Sequence, residues 1–297
     1  MINAWRLRRQ EIVRGACSPL HALHSHDKMP QSYQLCGGKK DMPDKKKVLV
    51  TGFGGRIGKV LRDHLGEKYE FSGIDRVPLE GLDSITADLT DLDAIAPAFE
   101  GKDVVVHLAA EPRHTPDIGW DLLMPDNVIA TANVFEAARR AGMSRIIFFS
   151  SMHVVGMYER DQPYKAIAEG DYGELEPDAV PLITHDMPDR PDGPYAVSKI
   201  FGEALGRYFY EDHGISVICI RFGTTSPDDR PGSDARSLVS FFSHRDIAGM
   251  VEACIEAQDI GFDIFYGASA NTWKIYDTPR AWEALGFQAQ DNAEVFR

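Results

Sequence analysis

No uninterrupted apolar run in the sequence approaches the about 18 residues that span a bilayer, so no segment reads as a membrane helix. A basic excess is also missing: 32 Lys and Arg stand against 45 Asp and Glu, for a net charge of −13. A chain that neutralises nucleic-acid phosphates over a wide surface, or coats an anionic membrane, needs the opposite balance. The expected partner is therefore a small molecule, with neither nucleic acid nor membrane; a homo-oligomer is allowed by the composition. Cysteine is scarce. Cys17, Cys36, Cys219 and Cys254 fall at no metal-ligand spacing, so no metal site is expected. Cys219 sits in the apolar run Val217, Ile218, Cys219, Ile220, where a thiol acts as a small core hydrophobe, a usage suited to a reducing cytoplasm. Repeats and low-complexity tracts are absent. What remains is 297 residues with 43% hydrophobic and 26% charged side chains, which excludes a disordered or fibrous chain and leaves room for one large domain or two modest ones.

Residues 1–41 mix Arg6, Arg8, Arg9 and Arg14 with scattered His, Pro and Gly and sustain no apolar period. They read as an arm outside the fold, either disordered or upstream of the native start, because Met42-Pro43-Asp44-Lys45-Lys46-Lys47 runs straight into the first convincing strand. A secretory signal would need a continuous apolar stretch that this arm lacks; an Arg-rich, acid-poor start is also compatible with an organelle transit peptide. From Val48 onward, apolar runs of strand length alternate with amphipathic segments of helix length, the pattern of a parallel sheet with crossover helices. Strands are expected at 48–50, 70–74, 84–87, 104–107, 145–149, 216–221 and 263–266. Helices are expected at about 57–65, 92–99, 127–141, 195–210, 245–257 and 279–285. The fold class is α/β, a Rossmann-like doubly wound parallel sheet over residues 42–297. A small C-terminal substrate-binding part falls mainly in 222–297. Residues 158–194, rich in proline and without a clear period, read as a long lid loop.

Chemistry enters with Thr51-Gly52-Phe53-Gly54-Gly55-Arg56-Ile57-Gly58, placed between a strand and a helix. Gly52 permits the tight turn, Gly55 lets backbone amides approach a pyrophosphate, and Gly58 allows helix and strand to pack closely, with the helix N-terminus facing the anion. A glycine turn alone is often an ordinary connection, so the next acid decides. Asp75 ends the second strand 23 residues beyond Gly52, near the roughly 20 expected of a carboxylate that grips a ribose 2′-hydroxyl. Its charge repels a 2′-phosphate and favours NAD; Arg76 beside it could host that phosphate, so NADP is the lesser alternative.

A second constellation is Tyr195-Ala196-Val197-Ser198-Lys199. Positions four apart share a helix face, so phenol and ammonium reach one cavity, and the ammonium is expected to lower the phenol's pKa from its usual value near 10 towards that of a working base. As an isolated pattern this is a common solvated helix face; it gains meaning only beside the glycine turn. Ser150-Ser151, at the C-terminal end of a strand, face the crevice where doubly wound sheets bind ligands, although serines there also cap turns. On residue type alone, His107 reads as a core histidine and His153 as a packed turn residue, and neither as a catalyst.

Together these residues resemble the extended short-chain dehydrogenase/reductase superfamily, also called NAD-dependent epimerase/dehydratases, over about 47–297. Within it Ser150-Ser151-Met152-His153, the stretch from Pro191 to Lys199, residues 236–244, Gly267-Ala268-Ser269-Ala270-Asn271 and Asp291-Asn292-Ala293-Glu294 look like uronate dehydrogenases and the NAD-dependent glucose-6-phosphate dehydrogenases of the same fold. The resemblance implies oxidation of C1 of a small acidic sugar to a lactone, with Ser151, Tyr195 and Lys199 as catalytic residues and Tyr195 as general base. It implies cofactor contacts from Gly52, Gly55, Arg56, Ile57, Gly58 and Asp75, from Asp88 and Leu89 by the adenine, and from Leu108, Ala109 and Ala110 by the phosphates and ribose. Asn127 would support Lys199 through water, and Ser151, His153, Thr224 and Arg236 would contact substrate. Two departures lie near that substrate: Met152 stands where uronate dehydrogenases carry Asn, and the loop 158–194 is longer than theirs.

Two other readings compete. A nucleotide-sugar epimerase or dehydratase with tightly bound NAD needs a large C-terminal part to cover base and pyrophosphate, whereas only 76 residues follow Arg221. Dehydratases of the superfamily also place an Asp-Glu pair beside the catalytic hydroxyl, where this chain has Met152 and His153. A non-catalytic NAD sensor or scaffold predicts damage at Tyr195 or Lys199, and both are intact.

Overall fold

The computed structural model describes residues 44–115 and 117–297, and the arm assigned to residues 1–41 lies outside them. The apolar runs become seven strands, β1 (Lys47–Thr51), β2 (Glu70–Asp75), β3 (Ser84–Thr86), β4 (Val104–His107), β5 (Arg145–Ser151), β6 (Ser216–Phe222) and β7 (Phe262–Gly267). All pair in parallel in the order β3-β2-β1-β4-β5-β6-β7. The chain winds outward from β1 to β3 and then crosses to lay β4 on the other side of β1. The switch point, where such sheets bind ligands, therefore opens between β1 and β4.

The helices are α1 (Arg56–Leu65), α2 (Leu92–Ile95), α3 (Trp120–Leu123), α4 (Ala130–Arg140), α5 (Tyr164–Glu169), α6 (Pro194–His213), α7 (Ala235–Ser240), α8 (His244–Glu256) and α9 (Pro279–Leu285). Alternation along the strands splits the core into two layers. Val48, Val50, Val104, Val106, Ile147 and Ile218 meet Leu61 and Leu65 of α1 and Ile247 and Val251 of α8. Leu49, Val105, Ile146, Phe148, Val217 and Cys219 meet Val134 and Phe135 of α4 and Phe209 of α6. Burial on both faces is why the strands read as nearly continuous apolar runs.

Three expectations need correction. The helix expected at 127–141 begins earlier, because α3 continues through a π-helical turn at Met124–Ile129 into α4; Pro125, at the start of that turn, interrupts the apparent period. The helix expected at 92–99 tightens into a 3₁₀ turn at Ala96–Phe99, where Pro97 withholds an amide donor. The segment 158–194 is not a plain loop. It contains α5 and a 3₁₀ turn at Pro177–Ala179, and Ile183 bridges in parallel to Tyr276. Its Tyr158, Tyr164, Ile167 and Ile183 join Val154, Val239, Tyr266 and Tyr276 in a third apolar cluster. These side chains come from several short pieces with no common period, which hid the cluster in the sequence. The third cluster thus draws on residues on both sides of α6 and is not confined to 222–297.

Candidate active site

A cleft of about 890 Å³ opens at the switch point, lined on one side by the glycine turn and on the other by the C-terminal ends of β5 and β6. Gly52 has φ +70°, a left-handed conformation that admits glycine readily, and a Cβ there would sit 3.0 Å from the backbone of Ala109. At Gly58 a Cβ would collide with the Phe53 carbonyl, so glycine is what lets α1 lie against the turn. The first turn of α1 carries neither a side-chain cap nor an acidic residue, which leaves its amides directed at the cleft as an anion site. Asp75 lies across from it: its Oδ2 accepts the Gly54 N–H at 2.8 Å and its Oδ1 the Val77 N–H at 3.3 Å. Arg76 is paired at 2.8 Å with Asp126, which reduces its availability to a 2′-phosphate.

Tyr195 and Lys199, one turn apart on α6, both face this cleft with Ser151 at the end of β5. The Lys199 ammonium is buried, donates to the Phe149 carbonyl at 3.0 Å and lies 5.6 Å from the Tyr195 ring centroid. Burial lowers its pKa to about 8. Ser151 does two things: its oxygen accepts the His153 N–H at 3.2 Å, capping the next turn, and its hydroxyl beside Tyr195 favours the phenolate form. The expected sign at Tyr195 is not met. Burial pushes the phenol up to about 12, the Ser151 hydroxyl opposes that, and the Asp192 charge adds to it.

Of the other expected residues, Gly55, Arg56, Ile57, Leu89, Leu108, Ala109, Ala110, His153 and Thr224 also line the cleft. Asp88, Asn127 and Arg236 do not. Asp88 is exposed and accepts both the amide and the hydroxyl of Thr90, which holds its carboxyl below the usual carboxylate range. Asn127, in the π turn, donates to Ser198 Oγ at 2.9 Å and accepts the Glu111 N–H at 2.7 Å, so it braces the residue beside Lys199. Arg236 belongs to α7, capped by Asp234, and its Nε donates to Glu159 at 2.6 Å; Glu159 also accepts the Tyr276 hydroxyl at 2.6 Å. The Asp234-Ala235-Arg236-Ser237 cap was a readable helix signal. His107 is a core histidine, with Thr51 Oγ1 at 2.7 Å on one ring nitrogen and Thr131 Oγ1 at 3.0 Å on the other, and burial lowers its pKa to about 3.

Several residues escaped the sequence reading. Thr225 and His114 line the cleft just beyond the C-terminal ends of β6 and β4, where the parallel-sheet rule directs attention. Behind Ser151 lies a buried ionic network. Arg221 pairs with Glu203 at 2.8 Å and with Asp189 at 2.7 Å, and Ser150 Oγ donates to Glu203 at 2.6 Å. Burial favours loss of the Arg221 proton, but the Glu203 carboxylate outweighs it and raises the guanidinium pKa. Glu203 is one turn beyond Lys199, so a buried acid on the Tyr195–Lys199 face was the available signal. Among the described residues, no cluster of three or more His, Cys, Asp or Glu is arranged to hold a metal, and no helix is long and apolar enough to cross a membrane.

A doubly wound sheet with a glycine turn, a strand-end acid and a Tyr/Lys helix face defines a dinucleotide-binding oxidoreductase. The model of the NAD dependent epimerase/dehydratase family matches residues 48–245, and the chain belongs to that family. It is 36% identical over 258 residues to an NAD-dependent glucose-6-phosphate dehydrogenase of Haloferax volcanii, covering 84% of this chain and 95% of that protein. It is 34% identical over 260 residues to an L-arabinose 1-dehydrogenase (NAD(P)(+)) of the same organism, covering 83% and 97%. A crystal structure of uronate dehydrogenase from Agrobacterium tumefaciens, a mutant complexed with NAD, superposes with a TM-score of 0.70 at 32% identity, covering 86% of this chain and 88% of that one. The cleft fits NAD on its own geometry: the uncapped α1 terminus suits a pyrophosphate, Asp75 suits a ribose diol, and the buried Thr225 hydroxyl is without a partner among the described residues.

Proposed function

We propose that this chain is an NAD-dependent dehydrogenase that oxidises C1 of a small acidic sugar, a hexuronate or a sugar phosphate, to the lactone. The observation that carries the reading is the convergence of Ser151, Tyr195 and Lys199 on the cleft that holds the glycine turn. Bound NAD supplies a hydride acceptor for the C1 hydrogen. Tyr195 takes the proton of the C1 hydroxyl, and Ser151 hydrogen-bonds the same oxygen, so a C–H and an O–H bond break as the C=O bond forms. Lys199, charged below its pKa of about 8, supports the phenolate by electrostatics once the proton leaves the phenol. The names of the relatives support a C1 reaction on a sugar.

A neutral aldose is the second reading, favoured by one observation: Arg236, the residue expected to grip an anion, is already ion-paired with Glu159. The deciding experiment follows NADH absorbance over a panel of uronic acids, aldose phosphates, neutral aldoses and sulfonated sugars. Faster turnover of an acidic sugar supports the first reading and faster turnover of a neutral aldose the second. A nucleotide-sugar that is consumed without net NADH would replace both with the epimerase or dehydratase alternative.

A further inference from the structure

His114 and His153 stack face to face at the edge of the cleft, with ring centroids 4.3 Å apart and planes tilted by 31°. Both flank Tyr195, His153 edge-on at 6.0 Å and His114 at 6.3 Å. His153 has one ring nitrogen engaged, its Nδ1 2.6 Å from Asp192 Oδ2, and the Pro112 carbonyl near the His114 ring favours the protonated form of that imidazole. A neutral imidazole keeps one acceptor nitrogen, and only protonation turns both of its nitrogens into donors.

The charged groups that face His114 are His153 after β5, Asp192 ahead of α6 and Arg236 on α7, with the Tyr195 phenol alongside. Asp192 is bonded to His153 and Arg236 to Glu159, whereas His114 has no carboxylate in salt-bridge contact among the described residues. His114 is exposed at the cleft edge, and the partial desolvation of its ring, then the His153 ring, hold its pKa below its ordinary value. An anion docking on the stack would reverse that shift.

Resting on the C1-dehydrogenase reading, we propose that His114 is a specificity-determining residue: stacked on His153, it receives the sugar's polar group remote from C1. Neutral, it accepts from a hydroxyl; protonated, it donates to an anion, so that an acidic sugar binds together with one proton. Above the pKa of the free imidazole, KM for an anionic sugar then rises about tenfold per pH unit, the slope of one linked proton, while KM for a neutral sugar stays flat.

The test measures KM for D-glucuronate, whose carboxylate stays ionised throughout, and for D-glucose between about pH 6 and 8.5 at saturating NAD, in the native enzyme and in His114→Gln. The expected result is a slope near one for D-glucuronate in the native enzyme, lost in His114→Gln, with no slope for D-glucose in either. A second measurement needs no turnover: the His114 imidazole NMR titration in Tyr195→Phe loaded with NAD should move to higher pH when D-glucuronate is added. The same slope in both proteins, or an imidazole titration that D-glucuronate leaves in place, overturns the assignment. A native enzyme that oxidises no sugar at C1 breaks the functional reading, whereas one that oxidises D-glucuronate with an unchanged slope in His114→Gln breaks only the role of His114.

Discussion

The two sides of the cleft are made by different means. On the glycine side the fixed groups are mainly backbone: a left-handed turn at Gly52, the amides of α1, and the Gly54 N–H bonded to Asp75. On the Tyr195 side the fixed groups are polar side chains joined between separate parts of the chain: Glu159 to Arg236, Asp192 to His153 and Glu203 to Arg221. A backbone site depends on where glycine is and tolerates many neighbours. A side-chain site depends on each partner being present, so one substitution can leave a buried charge alone. The difference predicts that cofactor chemistry is the more robust property of this molecule and substrate choice the more easily changed one.

That division also governs what the sequence reveals. β4 begins and ends with the run Val104–His107, because burial on both faces requires successive apolar residues. The glycine spacing and Asp75 are readable since their geometry is local to one strand-turn-helix-strand unit. Arg236 could be named but not understood: its pairing with Glu159, and through Glu159 with Tyr276, joins pieces that no periodicity connects. Spacing likewise shows that Lys199 is one turn from Tyr195, yet the Tyr195 pKa is set first by burial, a property of the assembled site.

The largest expected effect tests the Tyr195 side. On the proposed mechanism Tyr195→Phe keeps the ring and removes the proton acceptor, so kcat should fall by about 10²- to 10⁴-fold, with NAD affinity by fluorescence titration nearly unchanged. Because the phenol's pKa is raised to about 12, the base form grows as pH rises, and native oxidation should accelerate from neutral pH upward. The rise should slacken near pH 8, where Lys199 loses its proton. A flat native profile, or equal losses of kcat and NAD binding in the variant, would separate Tyr195 from the chemistry.

Next in size is the ionic network behind Ser151. Glu203→Gln leaves the buried Arg221 guanidinium with the partly exposed Asp189 as its remaining carboxylate beside the Tyr266 hydroxyl, and loss of one partner of a buried pair costs about 3–5 kcal/mol. Urea unfolding of this variant should be compared with Lys59→Ala, which removes the exposed Lys59–Asp63 pair on α1 and should change stability by less than about 0.5 kcal/mol. Similar small effects from both would show that the side-chain network is no more demanding than the surface of the glycine side, and would break the contrast.

The smallest effect is the one expected on the glycine side, at its single decisive side chain. If Asp75 grips the ribose, Asp75→Ala removes a charge-assisted hydrogen bond and should weaken NAD by about 1–3 kcal/mol, while penalising NADP less, because the carboxylate that repels a 2′-phosphate is gone. The same substitution also frees the Gly54 N–H, so part of the loss would come from a loosened turn. Asp75→Asn separates the two contributions, since it keeps a carbonyl oxygen for Gly54 and removes only the charge. If the backbone carries most of the cofactor affinity, Asp75→Asn should bind NAD nearly as well as the native protein and gain on NADP. Arg76, already paired with Asp126, limits that gain, so Asp126→Asn in the Asp75→Asn background should extend it by freeing the guanidinium for the 2′-phosphate. Calorimetric titration with both cofactors reads every step. A native preference for NADP, or an Asp75→Ala protein that loses both cofactors alike while Asp75→Asn keeps both unchanged, would mean that Asp75 serves to hold the turn and that the choice of cofactor is made elsewhere in the cleft.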